Sequence, residues 1–327
     1  MKKSTSYFFL FIGVFALSTS AIFVKVAQAP SAVVALYRLL ITAVVLLPFL
    51  LLSKKHMAEL KALNLKQWIT MVTAGILLAV HYIMWFESLN LTSVSSSAVL
   101  VSLQPLYSMV LGRIFLKEHV KPGAILGGLI AIVGSAVIGW GDFQLDQMAL
   151  SGDVLAFLAA GVIALYYLCG QVVRKQVSAL TYSVPAYFSS VVFLLIYNLI
   201  KGDSLTGFNG STWMAFLGIA LIATIGGQFV FNLLLKDMSA TAVTMGILGE
   251  PVGTCILAAL FLSETIAPRQ LVGIFIIVIG LAIYFFAPGK DENKSRHGSA
   301  NDLEANDKMQ PGYSVDVPEA TAKMQPG

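Results

Sequence analysis

Long runs of apolar residues dominate the chain, and short polar segments separate them. A helix needs about 20 apolar residues to cross a hydrocarbon core of about 30 Å, and only a helix pairs all of its backbone groups over so long a run. The pattern therefore predicts an all-α integral membrane protein with ten transmembrane helices. The ten predicted spans are 6–26, 33–53, 68–88, 94–115, 123–140, 153–173, 182–200, 213–235, 240–262 and 269–287.

The first apolar run has some features of a secretory signal. Lys2 and Lys3 precede it, and residues 27–29 (Ala-Gln-Ala) fit the small-residue pattern of a cleavage site. Pro30 directly after this site disfavours cleavage, and the run is long enough to span a membrane. We therefore expect a retained first helix.

The composition supports a membrane protein. Hydrophobic residues make up 57% of the chain and charged residues 12%, whereas soluble domains carry about 25% charged residues. The net charge is only +4, so nothing in it indicates a nucleic-acid partner. Cys169 and Cys255 both lie inside apolar runs, which argues against a disulfide framework.

The charges between the spans predict the orientation. With the N-terminus in the cytoplasm, the cytoplasmic segments hold twelve Lys or Arg residues and the outer segments hold three, before the C-terminal tail is counted. The cytoplasmic set is Lys2, Lys3, Lys54, Lys55, Lys61, Lys66, Arg113, Lys117, Lys121, Arg174, Lys175 and Lys236, and the outer set is Lys25, Lys201 and Arg269. Because basic residues concentrate on the cytoplasmic side, both termini are expected there, in a bacterial plasma membrane.

Residues 93–138 and 239–284 repeat one another, with a shift of 146 residues (239 − 93) and no gap. Eleven of the 46 aligned positions are identical, including Pro105/Pro251, Glu118/Glu264, Pro122/Pro268, Gly127/Gly273 and Gly134/Gly280. Each copy belongs to a half of five spans, and because five is odd the second half enters the membrane inverted. We expect two inverted repeats, 1–144 and 145–288, around a central cavity, followed by a disordered cytoplasmic tail at 289–327.

Ionisable side chains inside a span are costly and need an explanation. Arg38 in the second span either binds an anionic substrate group, snorkels to the outer surface or pairs with Glu87. Glu250 lies in the middle of the ninth span, Gln104 is its counterpart in the repeat, and a Pro follows each of them. Such a Pro kinks a helix and frees a carbonyl one turn back. Glu250 therefore binds a cation or carries a proton at a central site, or it makes a structural hydrogen bond.

Two other spans carry polar stripes. Thr224, Gln228 and Asn232 share one face of the eighth span, and His81 and Trp85 share one face of the third. Each stripe either lines a wet cavity or holds helices together by hydrogen bonds. His81 is a candidate proton carrier, and no second metal ligand is spaced near it.

Glu118 and Glu264 occur in both copies, but we expect them to be structural. Each ends a span and lies four residues before a Pro that fits the first turn of the next helix. The carboxylate is expected to bind the unpaired N–H groups of that next helix.

The sequence contains no recognisable catalytic or cofactor motif. A nucleophile–base pair, a metal-ligand cluster, a Walker loop and a dinucleotide fingerprint are all lacking. We therefore expect a protein that is not an enzyme and that needs no metal or cofactor. Any uphill transport would use ion gradients or exchange.

Several motifs are similar to those of a known family. Residues 81–97, followed by Gln104-Pro105 and Leu116-Lys117-Glu118, resemble the first copy of an EamA domain. Gly249-Glu250-Pro251, residues 262–264 and the later glycines Gly273 and Gly280 resemble the second copy. The chain thus resembles the EamA family of the drug/metabolite transporter superfamily over about residues 6–287.

The resemblance implies a fold of ten helices in inverted repeats around a central cavity. Spans 3, 4, 8 and 9 would provide much of its lining, and spans 5 and 10 would be peripheral. It also implies export or exchange of small metabolites such as amino acids. By position, the residues carried over to the cavity are His81, Trp85, Gln104, Gln228, Asn232 and Glu250.

The expected function is a secondary transporter, an exporter or exchanger that moves a small polar metabolite by alternating access. Arg38 and Glu250 carry opposite charges, which suits a zwitterion such as an amino acid, and Trp85, Tyr166 and Tyr167 are expected to contact its apolar part. The expected partners are this substrate, membrane lipid and a proton or counter-substrate, and the oligomeric state is left open. The alternative is a membrane structural or sensory protein that transports nothing.

Overall fold

Helices account for the architecture. The computed structural model describes residues 3–92, 94–139, 147–262 and 266–286, and these residues form helices and no β-strand. They belong to a unit that covers Met1–Ala287. The predicted disordered tail at 289–327 lies outside the described residues.

Eight helices precede residue 140. They are α1 (Lys3–Ser18), α2 (Ser20–Val26), α3 (Ser31–Leu51), α4 (Lys54–Lys61), α5 (Leu65–Leu91), α6 (Val94–Val101), α7 (Gln104–Leu116) and α8 (Pro122–Gly139).

The remaining helices begin at residue 147. They are α9 (Gln147–Arg174), α10 (Ala179–Lys201), α11 (Gly210–Gly218), a π-helix (Ile219–Phe229), α12 (Val230–Leu234), α13 (Ala240–Ile247), α14 (Glu250–Leu262) and α15 (Pro268–Phe286).

The apolar helices match the predicted spans. Within the described residues, nine helical stretches are long and apolar enough to cross a membrane, and Pro122–Ile138 is a shorter apolar helix at the fifth predicted span. The chain is therefore a multi-pass membrane protein. The sequence pattern did not predict α4, a polar helix of eight residues between the second and third spans. It also missed the interruption of the first span at Thr19.

Polar residues at the spans' ends fix where several helices begin. The first turn of a helix has unpaired N–H groups, and a side-chain oxygen just before it can accept from them. Asn64 and Gln67 form a reciprocal capping box at the start of α5. Ser178, Asn209 and Ser239 accept from the backbone at the starts of α10, α11 and α13.

The fourth and ninth spans are both broken at the same place in the repeat. Helix α7 begins at Gln104 and α14 begins at Glu250, and each residue precedes a Pro that cannot donate a backbone hydrogen bond. Tighter bonds to the third preceding residue bridge both breaks, from Leu103 to Leu100 and from Gly249 to Gly246. The prediction of a local kink at each Pro is confirmed.

The eighth span changes its winding in the middle. Eleven residues from Ile219 to Phe229 form a π-helix between α11 and α12. The Thr224 hydroxyl donates to the Ile219 carbonyl at 2.8 Å, five residues back. π-Helical turns are rare and frequent at functional sites.

Helices α8 and α15 pack against each other through glycines. A Cβ placed on Gly127 would lie 2.6 Å from the carbonyl oxygen of Gly280, and one on Gly134 would lie 2.8 Å from that of Gly273. The residue numbers rise along one helix as they fall along the other, so the two helices are antiparallel. Since a side chain has no room there, hydrogen is the only substituent that allows this approach.

We expect the substitution Gly134→Leu to destabilise the protein by about 1–3 kcal/mol, because overpacking forces the two helices apart. Unfolding in mixed detergent–SDS micelles measures this loss. The matched control is Val133→Leu, at a neighbouring position that is 55% exposed on the lipid-facing surface. Equal stability of the two variants would contradict the close glycine contact.

Candidate functional site

Arg38 is buried in the centre of the helix assembly. Only 2% of it is exposed, and its Nε donates to the Thr224 hydroxyl of the π-helix at 3.2 Å. Its guanidinium carbon lies 4.8 Å from the centroid of the Tyr82 ring, a favourable cation–π distance. Its Nη2 is buried and has no hydrogen-bond partner. A buried guanidinium with an unpaired N–H is costly unless an acceptor meets it.

The two alternatives for Arg38 do not hold. Its burial excludes snorkelling to the outer surface. Glu87, the other proposed partner, accepts instead from Lys201 at 2.5 Å and from the Tyr197 hydroxyl at 2.9 Å. Arg38 is therefore directed into the protein, towards the π-helix.

Glu250 faces the same region from the other side. It is the first residue of α14, it is half-buried, and its backbone carbonyl accepts from the Ser18 hydroxyl at 3.1 Å. The Glu250 carboxyl group lies within electrostatic range of Arg38, Tyr82 and Tyr167. Arg38 and Glu250 form no salt bridge with each other, so their attraction acts across a separation.

Gln228 and Trp85, like Arg38, each have a buried N–H group without a hydrogen-bond partner. The Oε1 of Gln228 accepts from the Tyr167 hydroxyl at 3.2 Å, but its Nε2 is buried without a partner. The indole N–H of Trp85 is also buried without a partner. Together with Arg38, three of the seven predicted site residues therefore present buried N–H groups that no described protein atom accepts. Buried polar groups are nearly always paired, so each of these donors needs a reason. Outside the predicted site, His56, Ser108, Asn198 and Asp203 also have buried polar atoms without a partner.

His81 supports Trp85. Its Nδ1 donates to the carbonyl oxygen of Ala159 at 3.0 Å, which fixes the proton on Nδ1. Its ring stacks on Trp85, with 6.0 Å between the centroids. Among the described residues, no group of three or more His, Cys, Asp or Glu side chains is placed to hold a metal ion.

Asn232 has all of its hydrogen bonds inside the protein. Its Nδ2 donates to the hydroxyls of Tyr166 at 2.7 Å, Ser183 at 3.0 Å and Tyr187 at 3.2 Å. Its Oδ1 accepts from Tyr166 at 3.0 Å. Asn232 is fully buried. In this structure it joins the eighth span to α9 and α10, so of the two expected roles the geometry favours helix–helix contact.

Gln104 lies apart from these contacts. It is buried at the start of α7, beside the break of the fourth span. None of the hydrogen bonds or ring contacts described above for Arg38, Trp85, Gln228 and Glu250 includes it. Arg38, Gln228 and Glu250 share the neighbours Tyr82 and Tyr167, and Trp85 lies on the same helix as Tyr82.

Sequence reasoning missed Tyr82 and expected a different role for Tyr167 in this region. Tyr82 lies under the guanidinium of Arg38, and Tyr167 holds the Gln228 amide. Tyr166 and Tyr167 were expected to contact substrate through their rings, but both rings are fully buried and their hydroxyls bind the two amides. Tyr82 adjoins His81 in sequence, which was a weak signal. For Tyr167, the apolar run around it gave no signal of its hydrogen bond to Gln228.

Glu118 binds a different helix from the one predicted. Its carboxylate accepts from the Gln171 side chain of α9 and from the Thr241 hydroxyl of α13 at 3.4 Å. Gln171 in turn accepts from the backbone N–H of Ala240 at 2.5 Å. The prediction that Glu118 binds N–H groups at the start of the next helix is therefore wrong, although its role is structural. Its counterpart Glu264 lies outside the described residues.

Comparison with known proteins identifies the family. The model of the EamA-like transporter family matches residues 4–140 and again residues 150–286. These two matches cover most of the chain. The chain belongs to the EamA-like transporter family. Relatives of this transporter are named as transporters and not as enzymes.

Curated relatives extend this similarity. The transporter is 23% identical over 259 residues to the uncharacterized transporter YdfC of Bacillus subtilis, covering 78% of this chain and 82% of YdfC. It is 28% identical over 204 residues to a probable amino-acid metabolite efflux pump of Salmonella typhimurium, covering 58% and 67%. It is 23% identical over 200 residues to the riboflavin transporter ImpX of Fusobacterium nucleatum, covering 59% and 66%.

A solved crystal structure shares the fold. It superimposes with a TM-score of 0.74 over 86% of this chain and 96% of that chain, at 15% sequence identity. At this identity the similarity concerns the fold alone.

The two amides differ in how many hydrogen bonds they make, so their removal is expected to cost different amounts of stability. We expect Asn232→Ala to destabilise the transporter by about 2–3 kcal/mol, because three buried hydroxyls lose a partner. Gln228→Ala is expected to cost less than about 1 kcal/mol, because half of its amide is unpaired already. Chemical unfolding in mixed micelles measures both. Equal losses would refute the distinction between a structural Asn232 and a ligand-facing Gln228.

Proposed function

We propose that this transporter moves a small zwitterionic metabolite, an amino acid or a close analogue, by alternating access as an exporter or exchanger. The observation that carries the proposal is the set of unpaired buried donors on Arg38, Trp85 and Gln228. A carboxylate supplies several acceptor sites in one group, and Arg binds it through a planar fork. The cost of the three unpaired donors is then recovered when substrate binds.

Glu250 provides the opposite charge. Its carboxylate is attracted to Arg38 but makes no salt bridge with it. A ligand with a carboxylate at one end and an ammonium at the other would satisfy both groups at once. The Trp85 and Tyr82 rings on the same helix offer a face to its apolar part. The name of one relative, a probable amino-acid metabolite efflux pump, agrees with this substrate class.

Several contacts support two inverted five-helix repeats, 1–144 and 145–288. The glycine contacts between α8 and α15 are reciprocal under the repeat: Gly127 lies against Gly280, and Gly134 lies against Gly273. Such reciprocal contacts are expected of parts related by a two-fold axis. The two family matches, 4–140 and 150–286, also start 146 residues apart (150 − 4).

A second pair of contacts repeats in the same way. His81 binds the Ala159 carbonyl oxygen, and a Cβ placed on Gly227 would lie 3.1 Å from the Gly13 carbonyl oxygen. Gly227 and Gly13 are the counterparts of His81 and Ala159 under the same shift of 146 residues. The third and sixth spans thus meet as the eighth and first do, which supports a pseudo-two-fold axis through the site.

The routes to the site are closed by different groups at the two ends. At the end where α3 begins, a cavity of about 180 Å³ is lined by Phe86 among others. Phe86 stacks on Trp85 and Tyr82, with centroids 5.1 and 5.7 Å away, so these rings separate the cavity from Arg38. At the other end Glu118 ties α7 to α9 and α13. Alternating access would open one closure at a time.

The loop charges support an orientation with both termini in the cytoplasm of a bacterial cell, and the plasma membrane as the location. In this orientation the Phe86 closure faces outwards and the Glu118 closure faces the cytoplasm. A proton or a counter-substrate is the proposed coupling species, and Glu250 is the candidate to carry the proton.

The competing function is a membrane structural or sensory protein. Proteoliposomes that contain the purified transporter distinguish the two, with flux measured for a panel of isotope-labelled amino acids and other small metabolites. Flux of a zwitterion supports transport. Folded protein that moves no compound of the panel overturns the proposal.

Substitutions separate substrate-binding from architectural charges. We expect Arg38→Gln and Glu250→Gln each to lower proteoliposome flux at least about tenfold, because each removes a charged partner of the substrate. Glu118→Gln is the control, because its amide oxygen still accepts from Gln171, and its flux should stay within about threefold of wild type. Loss of flux in Glu118→Gln alone, with all three variants folded, would assign the roles the other way round.

Blocked substrates test the two ends of the site. For the amino acid that is transported best, the amide lacks the carboxylate and the deaminated acid lacks the ammonium. We expect each analogue to compete about 10–100-fold more weakly than the parent, since each leaves one charged side chain unpaired. In Glu250→Gln, the difference between the parent and the deaminated acid should shrink. An amide that competes as well as the parent would contradict carboxylate recognition by Arg38.

A further inference from the structure

An apolar groove lies at the membrane end where α3 ends and α5 and α10 begin. Its volume is about 390 Å³. Its lining includes Leu50 of α3, Leu60 of α4, Trp68 of α5, and Pro185, Ser189 and Val192 of α10. A cavity of about 150 Å³ accommodates benzene, so the groove has room for about a dozen carbon atoms.

The groove offers no polar group to a ligand. The hydroxyl of Ser189, its one aliphatic polar side chain, donates to the Pro185 carbonyl oxygen at 2.9 Å. Trp68 lies at the mouth and is 37% exposed, at the helix end where indoles mark a membrane interface. The chemistry of the lining therefore fits a hydrocarbon chain.

Four lysines belong to the two helices, α4 and α5, that contribute Leu60 and Trp68 to the groove. Lys54, Lys55 and Lys61 belong to α4, and Lys66 lies two residues before Trp68. All four are exposed, and in the part of the chain that the structure describes none of them forms a salt bridge. Leu60 of α4 lines the groove, so this short basic helix lies directly at its edge.

The acidic residue of α4 is turned away. The carboxylate of Glu59 accepts from the Ser178 N–H at 2.9 Å and from the Thr181 hydroxyl at 2.8 Å, at the start of α10. Burial raises the pKa of Glu59, but these hydrogen bonds outweigh it and hold the pKa below its ordinary value. Its negative charge is thus committed to α10, and the lysines stay available.

We infer that this groove and the four lysines form a binding site for an anionic phospholipid. One acyl chain lies in the groove between α3 and α10, and the phosphate and its anionic headgroup meet Lys54, Lys55, Lys61 and Lys66. A zwitterionic lipid would fill the groove equally well but would gain less at the lysines, each of which contributes about 1 kcal/mol near an anionic surface.

The site would act on the arrangement of two helices that matter for function. Helix α3 carries Arg38, and α10 carries the hydroxyls of Ser183 and Tyr187 that hold Asn232. A lipid between their ends fills space that would otherwise let them move together. Bound lipid is therefore expected to stabilise the arrangement seen in this structure.

Native mass spectrometry of the full-length transporter tests the inference with two lipids, phosphatidylglycerol and phosphatidylcholine. We expect one molecule of phosphatidylglycerol to bind to the transporter, and to bind more tightly than phosphatidylcholine does. The double substitution Lys54→Gln/Lys55→Gln should weaken phosphatidylglycerol about 25-fold, about fivefold per lysine, and leave phosphatidylcholine unchanged. Val192→Trp should weaken the binding of both lipids, because the larger side chain fills the groove. Val192 is a lipid-facing position that is 57% exposed.

The matched control is Lys175→Gln/Lys236→Gln, which removes two exposed lysines from neighbouring loops at the same membrane end. It should leave the high-affinity phosphatidylglycerol in place. Thermal unfolding with added lipid gives a second measure, in which phosphatidylglycerol raises the melting temperature of wild type more than phosphatidylcholine does. Equal affinity for the two lipids, an equal effect of the control, or unchanged binding in folded Val192→Trp would each overturn the site.

Discussion

The lack of hydrogen-bond partners in a hydrocarbon core governs this structure. Every polar group inside the helices must find a partner in the protein or in a ligand. Arg174 shows the first solution: it is buried, and its guanidinium donates to backbone carbonyls of Asn232, Leu233 and Val177 at the ends of helices. Helix C-termini carry partial negative charge and unpaired carbonyls, so they satisfy a cation without an acidic side chain.

Arg38 is equally buried but has no helix end beside it. It meets a hydroxyl and an aromatic face, and one of its nitrogens has no acceptor. The contrast between the two arginines separates architecture from function better than burial does. Where the chain has partners to offer, it uses them, and Asn232 is the further example. The proposed ligand site therefore rests on the unpaired donors of Arg38, Gln228 and Trp85.

Much of the fold was predictable, because hydropathy and loop charge report directly on the membrane. Helix α4 escaped the prediction because its sequence is polar and short, and its role depends on contacts with α10. The π-helix was not predicted because its residues are ordinary apolar residues. A change in hydrogen-bond spacing over one segment leaves no periodic signal in the sequence. The predicted partner of Glu118 was wrong because proximity in the sequence favoured the next helix, whereas packing places α9 and α13 closer to its carboxylate.

The site was predictable in part for the same reason. Arg38 and Glu250 could be found by the cost of a charge in a span, and Gln228 and Trp85 by their places on polar stripes. The two copies of the repeat differ in the side chains of the candidate site. Both copies keep the broken helix, but Arg38, Gln228 and Glu250 correspond to Val184, Tyr82 and Gln104. Under the proposed function, a symmetric backbone would allow two exchangeable states, and a zwitterionic substrate with two different ends would require asymmetric side chains.

Helix α9 makes polar contacts near both of its ends. Asp153 near its start accepts from Thr92 and Ser96 at 2.8 and 2.6 Å, and Gln171 near its end binds Glu118. These residues are eighteen positions apart (171 − 153), or about 27 Å along an uninterrupted helix. Tyr167 holds Gln228 between them. In the proposed alternating-access mechanism, a tilt of α9 that loosens Gln171 would press Asp153 more firmly against the other end. One rigid helix would then keep the two ends from opening together, and the Gln228 amide would move with it.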